Sequence, residues 1–183
     1  MKIKNICKFC KKNGFVLFVD EENHEQWLGD AAGMYLVQGL PLLNEESICV
    51  MFDITEKQKK SLQIHIQEKP AGINFNDTDN NETLCEKLPI SIFTDRMLSP
   101  YKTQTGICFI DEEYMKPLID VWDEIEIYQR MTEDLRPYFV AKVGFLVYAI
   151  LMPYKIEKDF AMRLEEIASL CNIELKNTPE KRK

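Results

Sequence analysis

Two stretches of this chain carry residue types that could do chemistry. The first is Cys7-Lys8-Phe9-Cys10. Two thiolates two residues apart in a turn can share one tetrahedral metal, and His24 follows at finger-like spacing as a third ligand. No fourth His or Cys follows closely, and Asp30 is the nearest oxygen. Cys7, Cys10 and His24 thus form a candidate zinc site, set against two small residues opening a strand region. A redox dithiol would need a βαβ context that the flanking pattern lacks.

The second stretch is Asp111–Asp134. It gathers nine carboxylates, Asp111, Glu112, Glu113, Asp120, Asp123, Glu124, Glu126, Glu133 and Asp134, against Lys116 and Arg130. Paired carboxylates could hold magnesium for a nuclease-like reaction, though no Lys or His stands at the right spacing to help. Alternatively, Asp111 to Glu126 could imitate a run of phosphates and occupy a basic groove on another protein. The plain alternative is a solvated sheet face and helix start.

Other motifs carry less. Asp77-Thr78-Asp79-Asn80-Asn81 opens like a calcium loop, but Glu82 stands where the glycine is needed and Leu88 in the bidentate slot. His24 and His65 are the only imidazoles, and neither has an activated partner nearby in sequence. Phosphate-cradling glycines and a nucleophile elbow are absent.

The elements that must position these residues centre on Tyr138–Met152, an apolar run whose only charge is Lys142. It is rich in β-branched and aromatic residues, so it reads as a buried strand, or as two strands broken at Val143–Gly144. It is too short for a membrane helix. Residues 1–40 read as β-rich, with strands at Gly14–Val19, Trp27-Leu28 and Met34–Val37 and a loop at Asp20–Gln26. Asn44 and Thr55 are set to cap short helices, and Leu62, Ile64 and Ile66 alternate as a half-exposed strand. Thr83 reads as the cap of a helical turn through Leu88. Strands follow at Ile90–Phe93, Gly106–Ile110 and Asp123–Arg130, with a short helix from Asp111 to about Leu118. Phe160, Leu164, Ile167, Ala168 and Cys171 recur at helical spacing, which predicts a helix over Glu157–Cys171 with one face on the sheet.

The expected fold class is therefore α+β: a mostly antiparallel sheet, a C-terminal amphipathic helix and several short helices. Residues 1–175 form one domain, or two lobes (1–68 and 84–175) joined by the polar loop 69–83, and 176–183 form a flexible charged tail. The net charge of −7 sets the chain against generic nucleic-acid binding and makes a basic protein surface the more natural partner. The start lacks an apolar core after its lysines, so the expected location is the cytoplasm, with all six cysteines reduced.

The whole chain resembles small, mostly uncharacterised proteins of phages and prophages in gut Firmicutes. The segments that carry the likeness are Cys7–Cys10, Gln26-Trp27-Leu28-Gly29-Asp30, Gly39-Leu40-Pro41, Gly106–Leu118 and Pro137–Pro153. None has a known mechanism, so no catalytic residue is carried across. Proteins of that origin include inhibitors of type II CRISPR effector nucleases, whose guide RNA and DNA lie in a positively charged channel that suits an acidic inhibitor. The resemblance implies a non-enzymatic accessory protein in the host cytoplasm that inhibits a Cas9-type effector. A zinc-stabilised module of phage DNA metabolism stands second, and a metal-dependent nuclease third.

Overall fold

The computed structural model describes residues 1–177, with side-chain surroundings through Cys171. In chain order the elements are α1 (Ile3–Asn13), β1 (Phe15–Asp20), β2 (Glu25–Gly29), β3 (Gly33–Leu36), α2 (Glu45–Met51), α3 (Glu56–Lys59), β4 (Ile64–Gln67), β5 (Thr83–Leu84), β6 (Glu86–Lys87), β7 (Ile92–Phe93), β8 (Met97–Thr103) and β9 (Gly106–Asp111). A run of 3-10 turns, Glu112–Glu124, then leads into β10 (Ile125–Met131), β11 (Pro137–Val143), β12 (Leu146–Leu151) and α4 (Lys158–Asn177). This is an α+β fold with mostly antiparallel sheets and a C-terminal helix, as the residue patterns predict.

Eight strands form one sheet in the order β4-β1-β2-β3-β12-β11-β10-β5, with only β1 and β4 running parallel. Strands from 1–68 and from 84–175 therefore share this sheet. In a smaller sheet β8 pairs along its length with β9 and near its ends with β6 and β7. The segment 83–87 passes from one sheet to the other, with the Cys85 N–H bonded to the Ile127 carbonyl. That pairing holds it extended, so the helical turn expected after Thr83 does not form.

The apolar run divides at Val143–Gly144 into β11 and β12, near the sheet's centre. Its two faces feed two clusters. Phe139, Ala141, Ala149 and Leu151 join Leu17, Leu28 and Tyr35 on one side; Tyr138, Val140, Val147 and Ile150 join Trp27 and Phe75 on the other. Coverage on both faces is what an almost continuous apolar sequence requires.

The N-terminus departs from the β-rich expectation. Residues 3–13 are helical, with Ile6, Cys7, Phe9 and Cys10 buried on one face and Lys11 and Lys12 in the last turn. Apolar residues at this three-and-four spacing suit a helix, and the two lysines favour its negative end. Asn44 and Thr55 do cap α2 and α3, each in a reciprocal capping box. Asn44→Ala is expected to lower stability by about 1 kcal/mol, read as a shift in the urea midpoint at unchanged slope.

The C-terminal helix forms but does not lay its apolar stripe on the sheet. Phe160 meets Phe109 at 6.5 Å between ring centroids, yet Ile167 is 56% exposed and Ala168 and Cys171 are also open. Amphipathic spacing marks a face that favours burial; it does not name the surface that buries it. Lys176 and Asn177 complete α4, and residues 178–183 of the expected tail lie outside the described residues.

Candidate interaction surface

The run Glu112–Glu124 carries most of the carboxylates and is fastened to the body from below. Tyr114 donates to Asp30 Oδ2 at 2.9 Å, which also accepts from Asn13 Nδ2 at 2.7 Å. Tyr35 donates to the Tyr114 carbonyl at 2.6 Å. Burial first, and the Asp30 carboxylate second, push both phenols well above their ordinary range, so they stay neutral donors. The Lys2 N–H and Asn5 Nδ2 tie the carbonyls of Pro117 and Lys116 to α1. Met115 and Leu118 are buried beneath, and a kink at Val121 turns the run toward β10.

The acidic residues then sort by environment. Asp111 is buried, caps the run by accepting from the Glu113 N–H at 2.9 Å, and pairs with Arg96 at 3.1 Å. Glu112 accepts from Ser99 at 2.7 Å and Ser91 at 2.9 Å; the Ser99 hydroxyl is the main reason its carboxyl lies below the usual range. Glu113 pairs with Lys116, and Asp120 with Lys2 and the terminal ammonium. Glu126 is exposed and accepts from Tyr128. Asp123 and Glu124 are exposed and take no ion pair among the described residues. The sequence treats these seven as one surface; the structure gives Asp111 and Glu112 internal duties and leaves open charge at Asp123, Glu124 and Glu126.

That open end of the run lies beside the β11–β12 turn. Ile125 pairs with Val143, and Val143 with Leu146, so Gly144 and Phe145 form a two-residue turn. Phe145 is 85% exposed and Leu146 is 48% exposed. Trp122 is partly exposed with the Lys87 ammonium 4.9 Å from its ring centre. A cleft of about 400 Å³ on the same edge is lined by His24, Leu36, Leu40 and Leu146 among others. Phe145 is missing from the sequence-derived candidates, although a glycine breaking an apolar run signals a turn with an apolar apex.

The candidate zinc ligands are separated. Cys7 and Cys10 lie one turn apart on the buried face of α1, whereas His24 is an exposed turn residue beyond the far end of β1. Burial is the main cause that raises both thiols and keeps them protonated, the opposite of what a metal ligand needs. Among the described residues no three His, Cys, Asp or Glu side chains converge where a metal ion could be held. His65 is exposed on the edge strand β4. No helix among the described residues is long and apolar enough to cross a membrane. No family model, curated protein or solved structure matches the chain.

Proposed function

We propose that this chain works by binding and performs no chemistry: a phage accessory protein in the host cytoplasm that inhibits a nucleic-acid-handling enzyme, with a Cas9-type effector and its guide RNA the favoured target. The observation that carries this reading is the pair Asp123–Glu124, exposed and in no ion pair among the described residues, beside an apolar turn. Carboxylates left open at a sheet end meet lysines and arginines of a nucleic-acid channel at low desolvation cost and speed encounter. The net charge of −7 works the same way, because it repels a phosphate backbone and attracts a cationic protein.

The test is target cleavage by a guide-loaded Cas9-type nuclease in the presence of excess protein. Cleavage is expected to stop, and Asp123→Lys/Glu124→Lys is expected to weaken inhibition at least about tenfold while the circular dichroism spectrum stays the same. Unchanged cleavage at saturating wild-type protein removes the effector as target. Equal potency of the charge-reversed variant removes this surface.

A further inference from the structure

We propose that the β11–β12 turn is the anchor of a protein–protein interface, in which Phe145 enters an apolar pocket whose rim carries lysine or arginine. This rests on the reading of the chain as a binding protein and names the chemistry of the partner's surface.

The turn is built for rigidity. Gly144 has φ +58° while Phe145 keeps a negative φ, the pattern of a two-residue hairpin turn with glycine first. The strands that carry it lie between β3 and β10 in the large sheet, and Val140, Val147, Ala149 and Ile150 along them are buried. The backbone that carries the Phe145 ring therefore has little freedom left to lose on binding. At 85% exposed it adds almost nothing to the protein's own core. An apex serving only to reverse the chain would be filled by a small polar residue.

The surroundings state what the pocket must look like. Leu146 extends the apolar contact toward Leu40 across the cleft on the same edge. On the other side, the Ile125–Val143 pairing brings Asp123 and Glu124 next to the turn. Lys142 lies directly across from Glu126 in the ladder, but its ammonium is spent inside the protein on Glu82 at 2.7 Å. Lys87 reaches the Trp122 ring on that side but pairs with neither Asp123 nor Glu124 among the described residues, so the carboxylates of Asp123, Glu124 and Glu126 against that one ammonium leave the fringe negative. An apolar anchor within an acidic fringe is the complement of an apolar pocket within a basic rim, and such central aromatics carry most of an interface's affinity.

The experiment uses the full chain labelled with ¹⁵N and a soluble amphipathic peptide of leucine and lysine as the probe. Titration is expected to give saturable shifts centred on Glu124 and Val143–Leu146. Phe145→Ser should weaken binding about tenfold or more, Phe145→Leu should retain most of it, and Asp123→Asn/Glu124→Gln should cost several-fold and flatten the salt dependence. All three positions are exposed, so unshifted spectra of the free variants verify their folds. The proposal is overturned if no saturable binding occurs, if shifts centre on the open stripe of α4, or if Phe145→Ser binds as tightly as wild type. The peptide imitates no particular enzyme, so a failed nuclease assay and a failed titration are separate results.

Discussion

Arg130→Met is expected to lower the unfolding free energy by about 3–5 kcal/mol, the range found when one partner of a buried ion pair is removed. The guanidinium is fully buried. Its Nε and Nη2 donate to Glu82 Oε2 at 2.9 and 2.6 Å, and its Nη1 donates to the carbonyls of Asn74 and Asn76 at 3.0 and 2.8 Å. Lys142, almost as buried, donates to Glu82 Oε1 at 2.7 Å. One carboxylate thus balances two cations, and one arginine holds the polar loop 69–83 against β10. Methionine fills the volume but strands those carbonyls and half of the carboxylate. Arg130→Lys keeps the charge and loses the fork, so an intermediate loss is expected. Urea midpoints measure both, and limited proteolysis should open first between Pro70 and Glu82 in Arg130→Met. A midpoint within error of wild type would mean that the fork contributes nothing to stability.

The same carboxylate sets a pH dependence. Desolvation alone would raise Glu82, but the hydrogen bonds from Lys142 and Arg130 outweigh it and hold the carboxyl below its ordinary value of 4.5. A depressed carboxyl binds its proton more readily in the unfolded chain. Its contribution is therefore complete above pH 4.5 and disappears as pH falls through the lowered folded value. Glu82→Gln should start less stable and show a flatter acid limb across that window.

Gly29→Ala is expected to be at least as damaging, costing about 3 kcal/mol or more, beyond ordinary overpacking. A Cβ at Gly29 would lie 1.8 Å from the Gly33 carbonyl oxygen and 2.9 Å from the Met34 Cα. These are backbone atoms, so no side chain can swing aside. The turn itself is held shut: Asp30 Oδ1 accepts from the Ala32 and Gly33 N–H groups at 2.8 and 3.0 Å, and the Asp30 N–H donates to the Gly33 carbonyl at 3.0 Å. Admitting a methyl group means parting β2 from β3 in mid-sheet. Gly72→Ala is the control. A Cβ there meets nothing within 4 Å, and a change within about 0.5 kcal/mol is expected. Similar midpoints for the two variants would refute the close approach at Gly29.

How much of this was legible depends on what each residue needed to announce itself. The hairpin β11–β12 was visible because a glycine interrupts a run that is otherwise apolar and β-branched. Asn44 and Thr55 were visible as caps because capping is local chemistry within four residues. Lys142 carries a signal of its own: a lone charge in an apolar run requires a buried partner. Which carboxylate serves was not legible, since Glu82 lies 60 residues away in the chain. At α1 two signals compete: the cysteine pair points to metal chemistry, while the apolar spacing through Ile6, Phe9 and Cys10 is helical, and the helix is what forms. The acidic stretch reads as a whole, but the residues that take up Asp111 and Glu112 come from before it: Ser91 just ahead of β7, Arg96 in the β7–β8 turn and Ser99 in β8. No spacing rule within the stretch could separate those two from Asp123 and Glu124.

The strand order has a consequence for synthesis. β3 finds its second neighbour in β12, which leaves the ribosome on the order of a hundred residues later, or ~10 s at typical elongation rates. During that interval β1 to β3 can pair among themselves while the backbone of β3 presents an unfilled margin next to Trp27 and Tyr35. A nascent chain in that state is open to annealing with another of its kind. Yield of native protein should therefore respond to translation speed and to holding chaperones.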